Sequence, residues 1–272
     1  MIITQKKFLA ILQTLSIREI RHQLGRIRLK FTLQEIAFYL EQLHLHQAHR
    51  VTLKALWIKS ETGHSYQSFC QNLDLCAKLS GLVFIQFNRT SRIEPSSLYN
   101  VIDTSLIPTK KPQHLSKKDF DQGKVTVRQG LEGKLFVHGL KWLAVVNRQG
   151  LIVKSQTLGI NTPDIDVTKN PYQYGLPKGI LLADKGFNSK EVRSRLQGCS
   201  IRLISPFKSN QTQQLSDKER RLYARRWSIE TVFQTLKHDY GAFKLGTSSR
   251  YTLQKQKAVL TLAALSYNLS RL

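Results

Sequence analysis

The sequence predicts an α/β protein, a mixed sheet with flanking helices, preceded by a small helical domain. Two observations carry this. Apolar residues recur at the helical interval up to about residue 95, and beyond Pro95 they gather into short runs of the strand type. A third concerns charge: 42 Lys and Arg stand against 18 Asp and Glu, a formal net charge of +24. That exceeds what solubility needs and points to a polyanionic partner, nucleic acid first.

The first helical repeats are Phe8, Ile11, Leu12 and Leu15, then Leu33, Ile36, Leu40 and Leu43. Thr32 with Glu35 three residues on has the form of a capping box before the second. Val51–Ile58 and Tyr66–Leu79 continue the helical pattern around a break at Gly63. Lys6, Lys7, Arg18, Arg21, Arg26, Arg28 and Lys30 crowd the start, which is either a DNA-gripping face or a solvated basic surface. Residues 1–95 are thus expected to form a helical DNA-binding or dimerisation domain and 96–272 a catalytic domain.

In the second part, Leu98–Asp103 reads as a strand ending in a carboxylate, followed by a Lys- and Pro-bearing loop to Gly133. Leu135–Val146 and Leu151–Leu158 form a hairpin about the turn residues Asn147-Arg148-Gln149-Gly150. Asp164–Tyr174 is expected to be a short helix, with Asp164 and Asp166 at its start after Pro163, Ile180–Asp184 a buried strand, Ser189–Leu196 a helix and Ile201–Ile204 a last strand. A long helix is expected over Ser216–Tyr240, and an apolar helix over Leu253–Leu269. Three strands followed by alternating helices and strands is the order of a ribonuclease-H-like fold.

Two of these strands end in aspartate, Asp103 and Asp184, and strands that lie side by side and parallel bring such ends to one edge. Glu230 sits in the long helix, with Ile229, Val232, Phe233 and Leu236 able to bury one face of it. Each acid alone is as easily a turn or surface residue. Together they are the oxygen donors that hold two divalent ions for phosphodiester cleavage, the ions activating a nucleophile and stabilising the leaving oxygen.

The other candidates read as structure. Cys70, Cys76 and Cys199 are too few for a disulfide framework and are expected to pack in the core of a chain from a reducing compartment. His44, His46 and His49 suit polar surface at a helix end, and His138 suits a satisfied core or edge position. Lys110, Lys111, Lys117, Lys118 and Lys124 form a run near Asp103, either DNA-tracking or a solvated linker. No run of about twenty apolar residues appears, so no membrane span is expected, and the reading is a cytoplasmic, nucleoid-associated protein.

The segment YARRWSIETVFQTLK contains Tyr223, Arg226, Glu230 and Lys237, spaced by two, three and six residues. With Val101-Ile102-Asp103-Thr104 and Asp184-Lys185-Gly186-Phe187 upstream, it resembles the Tyr-Arg-Glu-Lys signature group of DDE insertion-sequence transposases. Lys134–His138 and the strand to Val146 are similar to that group's second-strand block, and the resemblance covers about residues 98–240. Asn161 with Asp164 also resembles a polar pair of the family. The interval from Asp184 to Glu230 holds only a helix, a strand and the next helix, without the large β insertion some relatives carry.

The resemblance implies a bacterial or archaeal DNA transposase with Asp103, Asp184 and Glu230 as catalytic metal ligands. It implies two Mg2+ ions, which Mn2+ can replace, and as partners terminal inverted repeats and target DNA. Tyr223, Arg226 and Lys237 would contact DNA backbone or a displaced base. Arg can fork onto a phosphate and Lys can act as a point charge. Lys110 and Lys111 are further DNA candidates, and cutting two ends together calls for a homodimer. The rival readings are a structure-selective nuclease on the same fold and a transposase-derived DNA-binding protein that no longer cuts.

Overall fold

The computed structural model describes residues 3–24, 31–49, 52–109, 114–122, 124–130, 133–207, 214–240 and 253–272. Arg26, Arg28, Lys30, Lys110 and Lys111 lie outside the described residues. The chain divides into two compact units, one of residues 1–92 and 236–272, the other of residues 93–235.

The first unit is helical: α1 Gln5–Gln13, α2 Ile17–Leu24, α3 Leu33–His49, α4 Leu53–Ser60, α5 Tyr66–Ala77, α6 Ser80–Thr90 and α12 Leu253–Arg271. The capping box of α3 is formed: the Glu35 carboxylate accepts from Thr32 N and Oγ1 at 2.7 and 2.9 Å, and Thr32 Oγ1 accepts from Glu35 N at 3.2 Å. Phe8, Leu12, Ile36, Leu40, Phe69, Leu73 and Val83 form the core with Val259, Leu262 and Leu265. Helix α12 packs against α3, α5 and α6. The sequence reading had placed it with the catalytic residues. Its apolar repeat states that one face is buried, and nothing local states against which partner.

His44 corrects another expectation. It is buried rather than at the surface, with its ring edge-on to Phe8 at 6.5 Å and Nδ1 3.5 Å from Ser266 Oγ. Cys76 is buried as expected, whereas Cys70 and Cys199 are only partly so, and all three are free thiols. Among the described residues no helix is long and apolar enough to cross a membrane.

The second unit is built on a mixed sheet of β1 Asn100–Pro108, β2 Val125–Gly130, β3 Gly133–Asn147, β4 Ile152–Gly159, β5 Gly179–Leu182 and β6 Ile201–Ile204. Across its main body the order is β4-β3-β1-β5-β6, and β2 pairs with the far end of β3. Neighbours β1/β3 and β3/β4 are antiparallel, while β1/β5 and β5/β6 are parallel. An antiparallel meander joined through its first strand to two helix-connected parallel strands is the ribonuclease-H-like arrangement.

The stretch expected to be a loop up to Gly133 differs. It contains the short helix α7 Lys117–Asp121 and β2, and β3 begins earlier than its apolar run suggested. Val125 and Val127 alternate with Thr126 and Arg128, a strand pattern too short to stand out beside so many lysines. At the close approach of β1 and β3, a side chain on Gly139 would run into the Ile107 carbonyl. The β3–β4 turn is made as its residues demand, with Asn147 Oδ1 accepting from Gln149 N and Leu151 N, and Gly150 at φ 82°.

On one sheet face, Ile102, Leu143, Val145, Leu181 and Leu203 meet Val167, Val192 and Leu196 from α8 Asp164–Lys169 and α9 Lys190–Gly198. Trp142 is fully buried, its ring edge-on to Phe233 of α11 Trp227–His238 at 5.7 Å. The expected long helix over Ser216–Tyr240 is α10 Asp217–Tyr223 and α11, separated by a tight turn at Ala224–Arg226.

Candidate active site

Asp103 is the fourth residue of β1, and the parallel register pairs Asn100 with Leu181 and Val101 with Leu182. Asp103 lies two residues beyond the last pair in β1 and Asp184 two residues beyond it, just past the end of β5, near enough for the Asp184 charge to act on Asp103. The Asp184 backbone is fixed on its other side, where Ser205 Oγ donates to its carbonyl at 2.9 Å. Its carboxylate accepts from Lys185 N at 2.7 Å and caps the turn Lys185–Phe187.

Arg226 joins the first aspartate to the glutamate. Its Nη1 donates to Asp103 Oδ2 at 3.0 Å and its Nη2 to Glu230 Oε1 at 2.6 Å. The turn at Ala224–Arg226 and the first turn of α11 present both side chains together, four residues apart. Glu230 therefore reaches the aspartates through a guanidinium rather than directly. Tyr223 lies beside the same group, its ring centre 5.9 Å from the Arg226 Cζ.

The electrostatics follow from burial. The Asp103 carboxyl is pushed up to about 6, first by desolvation, against the pull of the Thr104 N–H and Arg226, with Asp184 and Asp164 adding to the rise. Burial opposes the charge on Arg226, but Tyr223, Asp103, Glu230 and Asp184 outweigh it and raise its pKa. Burial raises the Tyr223 phenol. Two like charges beside one another in low dielectric favour a cation between them.

The donor set fits a divalent metal in chemistry, being carboxylate oxygen throughout. Among the described residues no three His, Cys, Asp or Glu side chains stand close enough, as they lie, to hold an ion together. Glu230 Oε1 is engaged instead by Arg226.

The other residues singled out from the sequence divide as follows. Lys237 is exposed in the last turn of α11, beyond residue 235 where the second unit ends. Lys117, Lys118 and Lys124 are exposed on or beside α7. His138 is buried, with Nδ1 2.7 Å from Thr109 Oγ1 and Nε2 3.3 Å from Asp119 Oδ1, and so joins β3 to α7.

The sequence reading left Thr104, Lys141 and the role of Asp164 unassigned. Thr104 Oγ1 donates to Asp164 Oδ1 at 2.8 Å, and Lys141 Nζ donates to the same oxygen at 3.0 Å. These side chains line a cleft of about 370 Å³ with Ser105, Leu106, Thr126, Val127 and Ile160. The sole hint in the sequence was the Asn161 and Asp164 pair. Of the two, Asn161 turns elsewhere, its Nδ2 donating to the Val125 carbonyl at 3.2 Å.

Residues 111–241 match the family described as "Transposase DDE domain". This stretch is similar to a transposase DDE domain. The match spans just under half of the chain and includes Asp184, Glu230 and the Tyr223–Lys237 signature, while Asp103 lies eight residues before it. Members of the family generally use divalent metal ions. No curated protein matches the sequence.

Among solved structures, the piggyBac transposase synaptic complex with hairpin DNA is similar at 9% identity and a TM-score of 0.47, over 98% of this chain and 76% of that one. A Mos1 paired-end complex with the left transposon end gives 12% identity and a TM-score of 0.24, over 80% and 77%. A pre-cleavage Mos1 transpososome gives 11% and 0.24, over 100% and 98%. Likenesses this distant carry no argument about this chain.

Proposed function

We propose that this protein is the DNA transposase of an insertion sequence, which binds terminal inverted repeats, cleaves the strand at each end and joins the freed 3′ hydroxyl to target DNA. The observation that supports the proposal is that Asp103 in β1 and Asp184 just past the end of the adjacent parallel strand β5 each lie two residues beyond the last β1/β5 pair, with Glu230 tied to Asp103 by Arg226. These three acids are the proposed catalytic residues and would hold Mg2+, or Mn2+ in its place, as a pair of ions. Bound there, the metal would supply charge stabilisation at the phosphate and a nucleophile at neutral pH.

The chain's own groups do the rest. Strand β1 holds Asp103, Asp184 caps the turn just past the end of β5, and a packed helix carries Glu230. Arg226 neutralises two carboxylates while no other cation does so. Once released from them, its fork matches a phosphate. Tyr223, with its ring beside that guanidinium, offers a face on which a displaced base can stack. Lys237, Lys110 and Lys111 would add backbone contacts, and the net charge of +24 would draw double-stranded DNA to the surface. Coordinated cutting of two ends calls for a homodimer on DNA, acting at the nucleoid.

The test is cleavage and strand transfer on DNA bearing the element's inverted repeats, with Mg2+ or Mn2+. Asp103→Asn, Asp184→Asn and Glu230→Gln are each expected to lower cleavage by about a hundredfold or more, with DNA affinity within about threefold of wild type. Full activity in any one variant removes that residue from the site. Cleavage without joined product would replace transposase by nuclease.

A further inference from the structure

The cluster beside the three acids has no role in the cleavage just described. Asp164 is the first residue of α8, and 60 residues separate it from Thr104, whose hydroxyl it binds. Thr104 is also the residue whose backbone N–H donates to Asp103 Oδ1 at 2.8 Å. The other Asp164 oxygen lies against the turn that follows Asp184: a Cβ built on Gly186 would come within 3.3 Å of Asp164 Oδ2. Lys141 Nζ holds Asp164 from a third element, β3, and donates also to the Thr162 carbonyl at 2.6 Å.

We propose that Asp164 is a positioning residue for the carboxylate pair, binding the strand residue after Asp103 and packing against the turn after Asp184 from one anchored side chain. The inference rests on reading Asp103 and Asp184 as metal ligands. Asp164 Oδ1 accepts from Thr104 and Lys141, and through Thr104 it reaches the residue whose N–H binds Asp103. Such ligation is sensitive to about half an ångström in the donors. Loss of an outer hydrogen bond that orients a ligand lowers metal affinity about 10- to 100-fold. The contribution of Asp164 to the raised Asp103 pKa is the electrostatic trace of the same closeness. A bland alternative is that Asp164 merely starts a helix and pairs with a lysine. That alternative gives the Thr104 hydroxyl no consequence for metal.

The decisive pair is therefore Thr104→Val, which keeps shape and removes the donor, and Thr104→Ser, which keeps the donor. Asp164→Ala is the companion variant. Mn2+ binding to the full chain is measured without DNA by the loss of the free-ion electron paramagnetic resonance signal, with Asp184→Asn marking the site. Circular dichroism checks the fold of each variant. Thr104→Val and Asp164→Ala are expected to weaken Mn2+ binding about tenfold or more, and Thr104→Ser to stay within about twofold of wild type.

Wild-type affinity in folded Thr104→Val would overturn the proposal, as would equal weakening in Thr104→Ser. A wild-type chain with no Mn2+ site sensitive to Asp184→Asn overturns the metal-ligand reading beneath it, a different result from the other two.

Discussion

Replacing Asp103 by Asn should make the protein more stable while removing its activity. The side chain is 19% exposed, and its carboxyl is raised from 3.8 to about 6, with desolvation the first cause. A folded-state pKa above the unfolded one means that the folded protein binds the proton more tightly. Stability from this group is then fully present below about pH 4 and is lost as pH rises through 6. The shift spans roughly two pH units at about 1.4 kcal/mol each, so ionised Asp103 costs about 3 kcal/mol at pH 8. Asparagine mimics the neutral acid and escapes the cost. Urea unfolding at pH 8 and pH 4, without metal, should show Asp103→Asn more stable by about 3 kcal/mol at the higher pH and nearly equal to wild type at the lower. Added Mg2+ should stabilise wild type and leave the variant unchanged. An Asp103→Asn protein no more stable than wild type at pH 8, or one with the same advantage at pH 4, would refute the burial argument.

Two further expectations concern the scaffold. Gly139→Ala drives a methyl into the Ile107 carbonyl, so strands β1 and β3 must part there. A loss of about 2 kcal/mol or more is expected in denaturant unfolding, and an unchanged midpoint would show that the strands yield easily. Ser216→Ala removes the side-chain half of the capping box on α10, in which Ser216 Oγ accepts from Glu219 N, and leaves the half in which Glu219 accepts from the backbone N of residue 216. About 1 kcal/mol should be lost, and Ser216→Thr should recover most of it in the same measurement.

The strands of the second unit were legible because each carries its own signal. Ile180–Leu182 is apolar on both faces, as a buried parallel strand is, Ile201–Ile204 is apolar but for the exposed Arg202, and Asn147 and Gly150 mark the hairpin turn. The break at Ala224–Arg226 was not legible. Ala-Arg-Arg has no Pro, Gly or capping residue, and the helical period continues on both sides of it. Helix α12 shows an apolar face in its sequence, yet its partners α3, α5 and α6 lie far away along the chain. The same distance hid Asp164. After Pro163 it reads as a helix start, which it is, and its bond to Thr104 across 60 residues has no local trace.

The signature spacing acquires a physical meaning from the site. Three residues between Arg226 and Glu230 set them four apart, about one helical turn, so a single guanidinium can engage the glutamate of the helix that follows it and still reach Asp103 on the sheet. A lysine at position 226 would offer one point charge where two oxygens on different elements need a planar fork. The Asp103 arm is the stronger, because both of its partners are 19% exposed, while Glu230 at 56% remains largely solvated. The glutamate is thus the carboxylate most easily released. A cation arriving beside Asp103 and Asp184 would compete with Arg226 for Asp103, and the freed guanidinium would then face the incoming phosphate with its donors unspent.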